Sequence, residues 1–121
     1  MNTNRTTDLV GTCPMSFWRE WIEEGDAAGE PGTGEEWGWW TKDPMASIIR
    51  PGVRLYIVAH GKLRGWAPVV RVVKEGASWV ICRRGGAVPC TLPNIITGFR
   101  GLRRRWWDRA DEVPFPDWRL P

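Results

Sequence analysis

The densest chemistry in this chain lies between residues 100 and 109. Arg100, Arg103, Arg104, Arg105 and Arg109 fall within ten positions and bracket Trp106 and Trp107. Guanidinium groups this close repel one another unless an anion or an acidic surface meets them. Indole rings among them suit RNA or single-stranded nucleic acid, where stacking and charge act together. The alternative is internal: the segment docks on the acidic N-terminal part of the same chain. Three further clusters point the same way. Trp37, Trp39 and Trp40 precede Thr41 and Lys42, an aromatic surface beside a cation. On a strand, Trp37 and Trp39 share one face and Trp40 takes the other, so two of them are equally suited to a core. Lys62 and Arg64 lie between Gly61 and Trp66, where small residues let a phosphate approach closely. Arg83 and Arg84 precede Gly85 and Gly86 and offer planar forks that match phosphate geometry. Both basic pairs are also what an ordinary solvated hairpin carries.

Other chemistries have less support. His60 is the one histidine, and no Ser or Cys nucleophile stands near it in sequence. Cys13, Cys82 and Cys90 have neither disulfide-framework nor zinc-module spacing, so no metal and no cofactor is expected. Glu23, Glu24, Asp26, Glu35 and Glu36 read first as solvated acids. One of them would serve as a general base only if the loop over 25–36 closed on a cleft.

The composition bounds the elements that must carry these groups. With 121 residues, 42% of them hydrophobic, residues 1–121 are expected to form one globular domain and not a disordered chain. Ten Trp against one Tyr and three Phe exceed what so small a core needs, so some are expected at a cleft or an interface. Charge is segregated. Residues 1–47 carry nine acids against three bases, whereas residues 48–110 carry thirteen bases against Glu75 and Asp108. Such a basic stretch is a footprint for phosphate, or else the counterpart of the acidic start. The polar lead, the odd cysteine count and the lack of a long apolar run lead us to expect a cytoplasmic protein with free thiols and no membrane partner. A monomer or weak dimer is expected.

The pattern predicts a helix over 14–24, with Phe17, Trp18, Trp21 and Ile22 in one stripe, Pro14 in its first turn and Gly25 as its cap. Strands are predicted over 37–42, 53–60 and 66–74. Two more, over 78–83 and 87–92, are predicted to form a hairpin around Arg84, Gly85 and Gly86. In the clearest strand Val53, Leu55, Ile57 and Ala59 face one way, and Arg54, Tyr56, Val58 and His60 the other. The tail beyond Asn94 is predicted to be a short helix or irregular. The fold class is therefore mostly β (α+β), a small barrel of five to six strands with an N-terminal helix.

The run Ile49-Arg50-Pro51-Gly52-Val53-Arg54-Leu55-Tyr56-Ile57-Val58, followed by Gly61-Lys62-Leu63-Arg64-Gly65-Trp66-Ala67-Pro68-Val69-Val70-Arg71-Val72, resembles the centre of a PUA-like barrel, in particular the ASCH and EVE branches. The resemblance covers residues 37–92. It implies a barrel closed on one side by helices, a cleft between them, and partners among RNA, modified bases or nucleosides. Some ASCH proteins resemble small amidohydrolases that remove acyl groups from cytidine. For such an enzyme the resemblance implies Lys42 as base or nucleophile, Thr41 as its partner and Glu75 as proton shuttle. The first expectation is a nucleic-acid or modified-nucleobase binding module with a basic, Trp-lined cleft. In it Lys42, Lys62, Arg64, Arg83, Arg84, Arg103, Arg104 and Arg105 hold phosphate, and Trp39, Trp40 or Trp66 stack a base. The amidohydrolase on a modified nucleoside is the alternative, and a protein-interaction module the third.

Overall fold

The computed structural model describes residues 8–13, 15–24, 36–84, 88–96, 99 and 102–120. Pro14, Gly25, the acidic loop up to Glu35, Gly85, Gly86 and Arg100 lie outside the described residues, as does the lead before Asp8. The helix expected over 14–24 forms as α1 (Met15–Glu24). Trp18 is its buried anchor, whereas Phe17 is 52% exposed, so the apolar stripe does not bury all the residues its spacing groups.

Among the described residues seven strands form one mixed sheet. They are β1 (Leu9–Thr12), β2 (Glu36–Thr41), β3 (Arg54–Ala59), β4 (Lys62–Glu75), β5 (Ser78–Arg84), β6 (Val88–Pro89) and β7 (Leu102–Arg104). The order is β2-β5-β4-β3-β1-β7, with β6 on β4. β1 runs parallel to β3, and the other pairings are antiparallel. The Pro51-Gly52 turn into β3 is of type II character. Val53 N–H donates to the Arg50 carbonyl, and Gly52 at φ 93° takes the left-handed position that a side chain disfavours. His60, with φ 53°, sits in the tight connection between β3 and β4, so the single histidine is a turn residue.

β4 organises the sheet because it belongs to both of its halves. Residues Lys62 to Pro68 pair with β3, and Val69 to Glu75 pair with β5. The register slips opposite Ile57/Val58, where Leu63 and Gly65 have partners and Arg64 has none. Such a bulge re-aims its extra side chain, and here it turns Arg64 inward to full burial.

The alternation expected for β3 holds, but neither face is wet. Leu55, Ile57 and Ala59 join Leu9, Trp18, Val69, Ile81, Leu102 and Trp118 in one core. Tyr56 and Val58 join Val10, Leu63, Cys90 and Ile96 in a second, flanked by Trp66, Phe99 and Trp107. β3 is central and covered on both sides, which is why its sequence is nearly continuous in apolar residues.

Three expectations are corrected. Among the described residues the sheet does not close into a barrel, since no strand pairing joins the two path ends, β2 and β7. Side chains bridge that gap instead. Asp43 Oδ1 accepts from Met45 N at 2.9 Å and caps a short 3-10 helix, Pro44–Ile48, while its Oδ2 accepts from Leu102 N at 3.2 Å on β7. Trp39 on β2 reaches over to Gly11 on β1, where an added Cβ would lie 2.5 Å from the indole ring. Second, β6 does not form a hairpin with β5. It pairs with β4 at Gly65 and Trp66, because the bulge half of β4 has a free flank there. Third, the tail supplies an edge strand, β7, paired to β1, before a 3-10 turn at Arg109–Asp111. No helix among the described residues is long and apolar enough to cross a membrane.

Candidate ligand site

Two polar networks and one cavity lie on the side of β3 that carries Arg54 and Tyr56. The first network converges on Glu112. Tyr56 O–H donates to Glu112 Oε2 at 2.5 Å, and Trp107 Nε1 donates to the same oxygen at 2.8 Å. Arg54 Nη1 donates to the Tyr56 hydroxyl at 2.9 Å and lies 3.6 Å from Glu112 Oε1. The Cys90 thiol faces Oε1 at 3.9 Å. The Arg54 guanidinium rests on the Trp66 ring, 3.8 Å from its centroid, a cation–π contact. Burial, then the bond to Glu112, holds the Tyr56 phenol well above its ordinary range. Burial, then the Glu112 charge, pushes the Cys90 thiol up to about 12. A thiol that stays protonated is a poor nucleophile and a poor metal ligand. The phenol and the thiol of this cluster therefore keep their protons at neutral pH. The cluster fixes the Trp107 ring, which also meets Tyr56 edge-on at a centroid distance of 5.1 Å.

The second network converges on Asp8, whose side chain is fully buried. Its Oδ2 accepts from Arg105 Nε at 3.0 Å and from Arg109 Nε and Nη2 at 2.9 and 2.6 Å. Its Oδ1 accepts from Arg54 N at 3.1 Å, and its carbonyl accepts from Arg105 N. The hydrogen bond to Asp8 raises the Arg109 guanidinium above its ordinary value. Arg105 and Arg109 thus meet an acid of their own chain. That acid stands before β1 and is not on the helix.

Trp107 joins the Glu112 cluster to a cavity of about 600 Å³, lined by Leu92 to Ile96, Arg103, Trp106, Trp107 and Asp111. Ile96 N–H donates to the Gly61 carbonyl at 2.8 Å and anchors one wall to the β3–β4 turn. Trp106 is 52% exposed, stands edge-on to Trp107 at 4.9 Å and packs against Phe99 at 6.0 Å. Arg103 lies over the Phe99 ring, 4.4 Å from its centroid. The polar groups of the two networks are already engaged. In contrast, the side chains of Asn94, Arg103 and Asp111 make no hydrogen bond or ion pair with any described residue. The cavity therefore offers two indoles, a cation, a carboxylate and an amide to a guest.

The residues singled out by sequence are dispersed. Arg103 is in the cavity, and Arg104 is exposed beside it on β7. Arg105 is committed to Asp8. Trp66 lies half-buried beneath Arg54, and Lys62 is exposed, 5.9 Å from the Phe115 ring centroid. Trp39 packs on the core, while Trp40 is 60% exposed. Arg83 is buried on β5 and Arg84 ends that strand. The expectation that Arg64 holds phosphate is corrected by its burial. Nε donates to the Ala59 carbonyl at 2.9 Å, and Nη1 donates to the carbonyls of Trp118, at 3.1 Å, and Leu120. Burial lowers the pKa of this guanidinium. The solvent-facing role read for Arg83 is corrected in the same way, since its side chain is 1% exposed. Thr41, Lys42 and Glu75 do come to one end of the sheet, because Thr41 pairs with Trp79 and Glu75 with Ser78. Thr41 Oγ1 accepts from Asp43 N at 3.0 Å. Lys42 and Glu75 are exposed, and none of the three lines the cavity. The dry surroundings a catalytic Lys42 requires are not formed around it. Among the described residues no group of His, Cys, Asp and Glu could hold a metal ion, and the three cysteines are buried thiols outside any disulfide.

Sequence reasoning missed Glu112, Asn94 and Asp111, and it considered Cys90 only for a disulfide or a zinc site. The shared face of Arg54 and Tyr56 was visible in the alternation of β3, but their partner stands 56 residues further on. No family model matches this chain, and no curated protein or solved structure shows significant similarity to it.

Proposed function

We propose that this protein is a binding module for RNA, single-stranded DNA or a modified nucleobase, a PUA-like domain that receives one base in the Trp106–Trp107 cavity. The observation that carries this reading is the cavity itself. Two indoles line it, one is pinned by Glu112, and polar side chains without hydrogen bonds to described residues stand at its walls. Its size falls within the roughly 300–1,000 Å³ of small-molecule sites. Stacking of a base on an aromatic ring contributes about 1–3 kcal/mol and tolerates any base. Arg103 and Arg104 are exposed on an edge strand beside the cavity, where a phosphate backbone could run. The Asp8 network removes Arg105 and Arg109 from that role, so the electrostatic component is small.

Anisotropy titrations of labelled single-stranded oligonucleotides at several salt concentrations test this. Two phosphate contacts on a single strand give a log–log salt slope of about −1.4, at about −0.7 per contact. Trp106→Ala weakens binding by roughly 5- to 150-fold, the equivalent of one lost stack. Absence of binding, or binding unaffected by Trp106→Ala, refutes the reading.

A further inference from the structure

We infer that the base taken by this cavity is guanine. The inference rests on the cavity being a base site and adds what it selects. Asp111 brings two carboxylate oxygens, which only accept hydrogen bonds, and Arg103 brings a guanidinium fork, which only donates. Neither makes a hydrogen bond or ion pair with a described neighbour, and Arg103 rests over the Phe99 ring with its N–H groups still open to a guest. A guest that satisfies both must present paired donors along one edge and paired acceptors along another.

Among the four common bases, guanine alone does so. Its N1–H and N2–H lie side by side and match a carboxylate. Its O6 and N7 lie side by side and match an arginine fork, a frequent specific pairing in nucleic-acid recognition. Cytosine offers one amine to a carboxylate, and its acceptors fit the fork. Uracil offers one N–H set between two acceptors. Adenine places its amine between acceptors, so a fork meets a donor. Arg103 and Asp111 are exposed and solvated when the site is empty, so the bidentate pairing that only guanine makes with both is what discriminates against those three. Trp106 and Trp107 supply affinity for any base, and the Asp111/Arg103 pair supplies the choice. Asn94 carries both a donor and an acceptor and adds no preference.

Isothermal titration calorimetry of the intact protein with GMP, AMP, CMP and UMP separates these roles. One bidentate pair is worth about 1–3 kcal/mol of discrimination, so GMP is expected to bind roughly 5- to 150-fold more tightly than the others. Asp111→Asn, a change at an exposed position, is expected to shrink that margin, and Asp111→Asn/Arg103→Leu to erase it and leave the weaker common affinity. Thermal melting of the variants checks that the fold is intact. Equal affinity for all four nucleotides, or a GMP margin unchanged in the double variant, overturns the assignment of guanine and leaves the base site standing. No binding of any nucleotide overturns both.

Discussion

Asp8→Asn is the sharpest perturbation the structure allows, because it removes one charge and little volume. The buried carboxylate receives three guanidinium N–H groups on Oδ2 and one backbone N–H on Oδ1. Asparagine cannot accept at both positions. With its amide nitrogen at the Oδ2 position, donor faces donor at Arg105 and Arg109. With the nitrogen at Oδ1, the Arg54 backbone N–H loses its acceptor. Removing one partner of a buried pair costs about 3–5 kcal/mol. Arg105 and Arg109 side chains are 22% and 45% exposed, so water recovers part of their loss. A cost of about 3 kcal/mol remains, in line with the value of hydrogen bonds to charged groups. With a urea m-value of about 2 kcal/mol/M, the unfolding midpoint falls by about 1.5 M. Equilibrium urea unfolding followed by far-UV circular dichroism measures it. The Asp8→Asn/Arg109→Leu double variant should lose less than the sum of the two single changes, since the partners share one interaction. A midpoint within about 0.3 M of the parent, which is well under 1 kcal/mol on the same slope, would refute the view that Asp8 anchors this segment.

Glu112→Gln keeps the shape of the cluster but turns charge-assisted bonds from Tyr56 and Trp107 into neutral ones and sets an amide against Arg54. A loss of about 2–3 kcal/mol in the same urea assay is expected, with weaker base binding as Trp107 loosens. Gly11→Ala places a methyl group against the Trp39 ring. It should destabilise by about 1–3 kcal/mol, and Trp39→Leu in the same chain should relieve it, which thermal melting of the two variants decides. Alkaline unfolding follows from Tyr56 and Cys90. Both groups hold their protons more tightly folded than unfolded, so the unfolded chain loses them first. Their stabilisation is complete below pH 9, the ordinary range of a thiol, and declines as pH rises, by at most about 1.4 kcal/mol per pH unit for each group. Tyr56→Phe and Cys90→Ser should each flatten a plot of stability against pH between 9 and 12. A stability that is constant across that interval contradicts the burial of both groups.

The sequence was most readable where the signal is local. The type II turn at Pro51-Gly52, the alternation along β3 and the span of α1 each depend on a few adjacent residues, and each appears where its pattern lies. Reading failed where position depends on distant partners. Arg64 looks like a surface cation on a glycine-flanked turn, and only a one-residue slip in β4 pairing sends it inward. Arg105 looks like a phosphate ligand until Asp8, 97 residues earlier, is brought beside it. β7 is three residues long, too short to show a period, and it is defined by β1 instead of by its own composition. The cavity was half visible. Arg103, Trp106 and Trp107 stood out as a cluster, but Asn94 and Asp111 are ordinary polar residues until the fold brings them to the same cavity.

The inward Arg64 also bears on when this chain can fold as it leaves the ribosome. β4 emerges well before Trp118 and Leu120, whose carbonyls lie 54 and 56 residues further along. Until they arrive, the guanidinium has the Ala59 carbonyl as its acceptor and two empty directions. Holding a charge in a low-dielectric core without acceptors costs several kcal/mol, a large share of the 5–15 kcal/mol that keeps an ordinary domain folded. The turn that carries Trp118 and Leu120, laid across Arg64, supplies the acceptors that make its burial tolerable, so the closed form of the bulge depends on chain that is made last among the described residues.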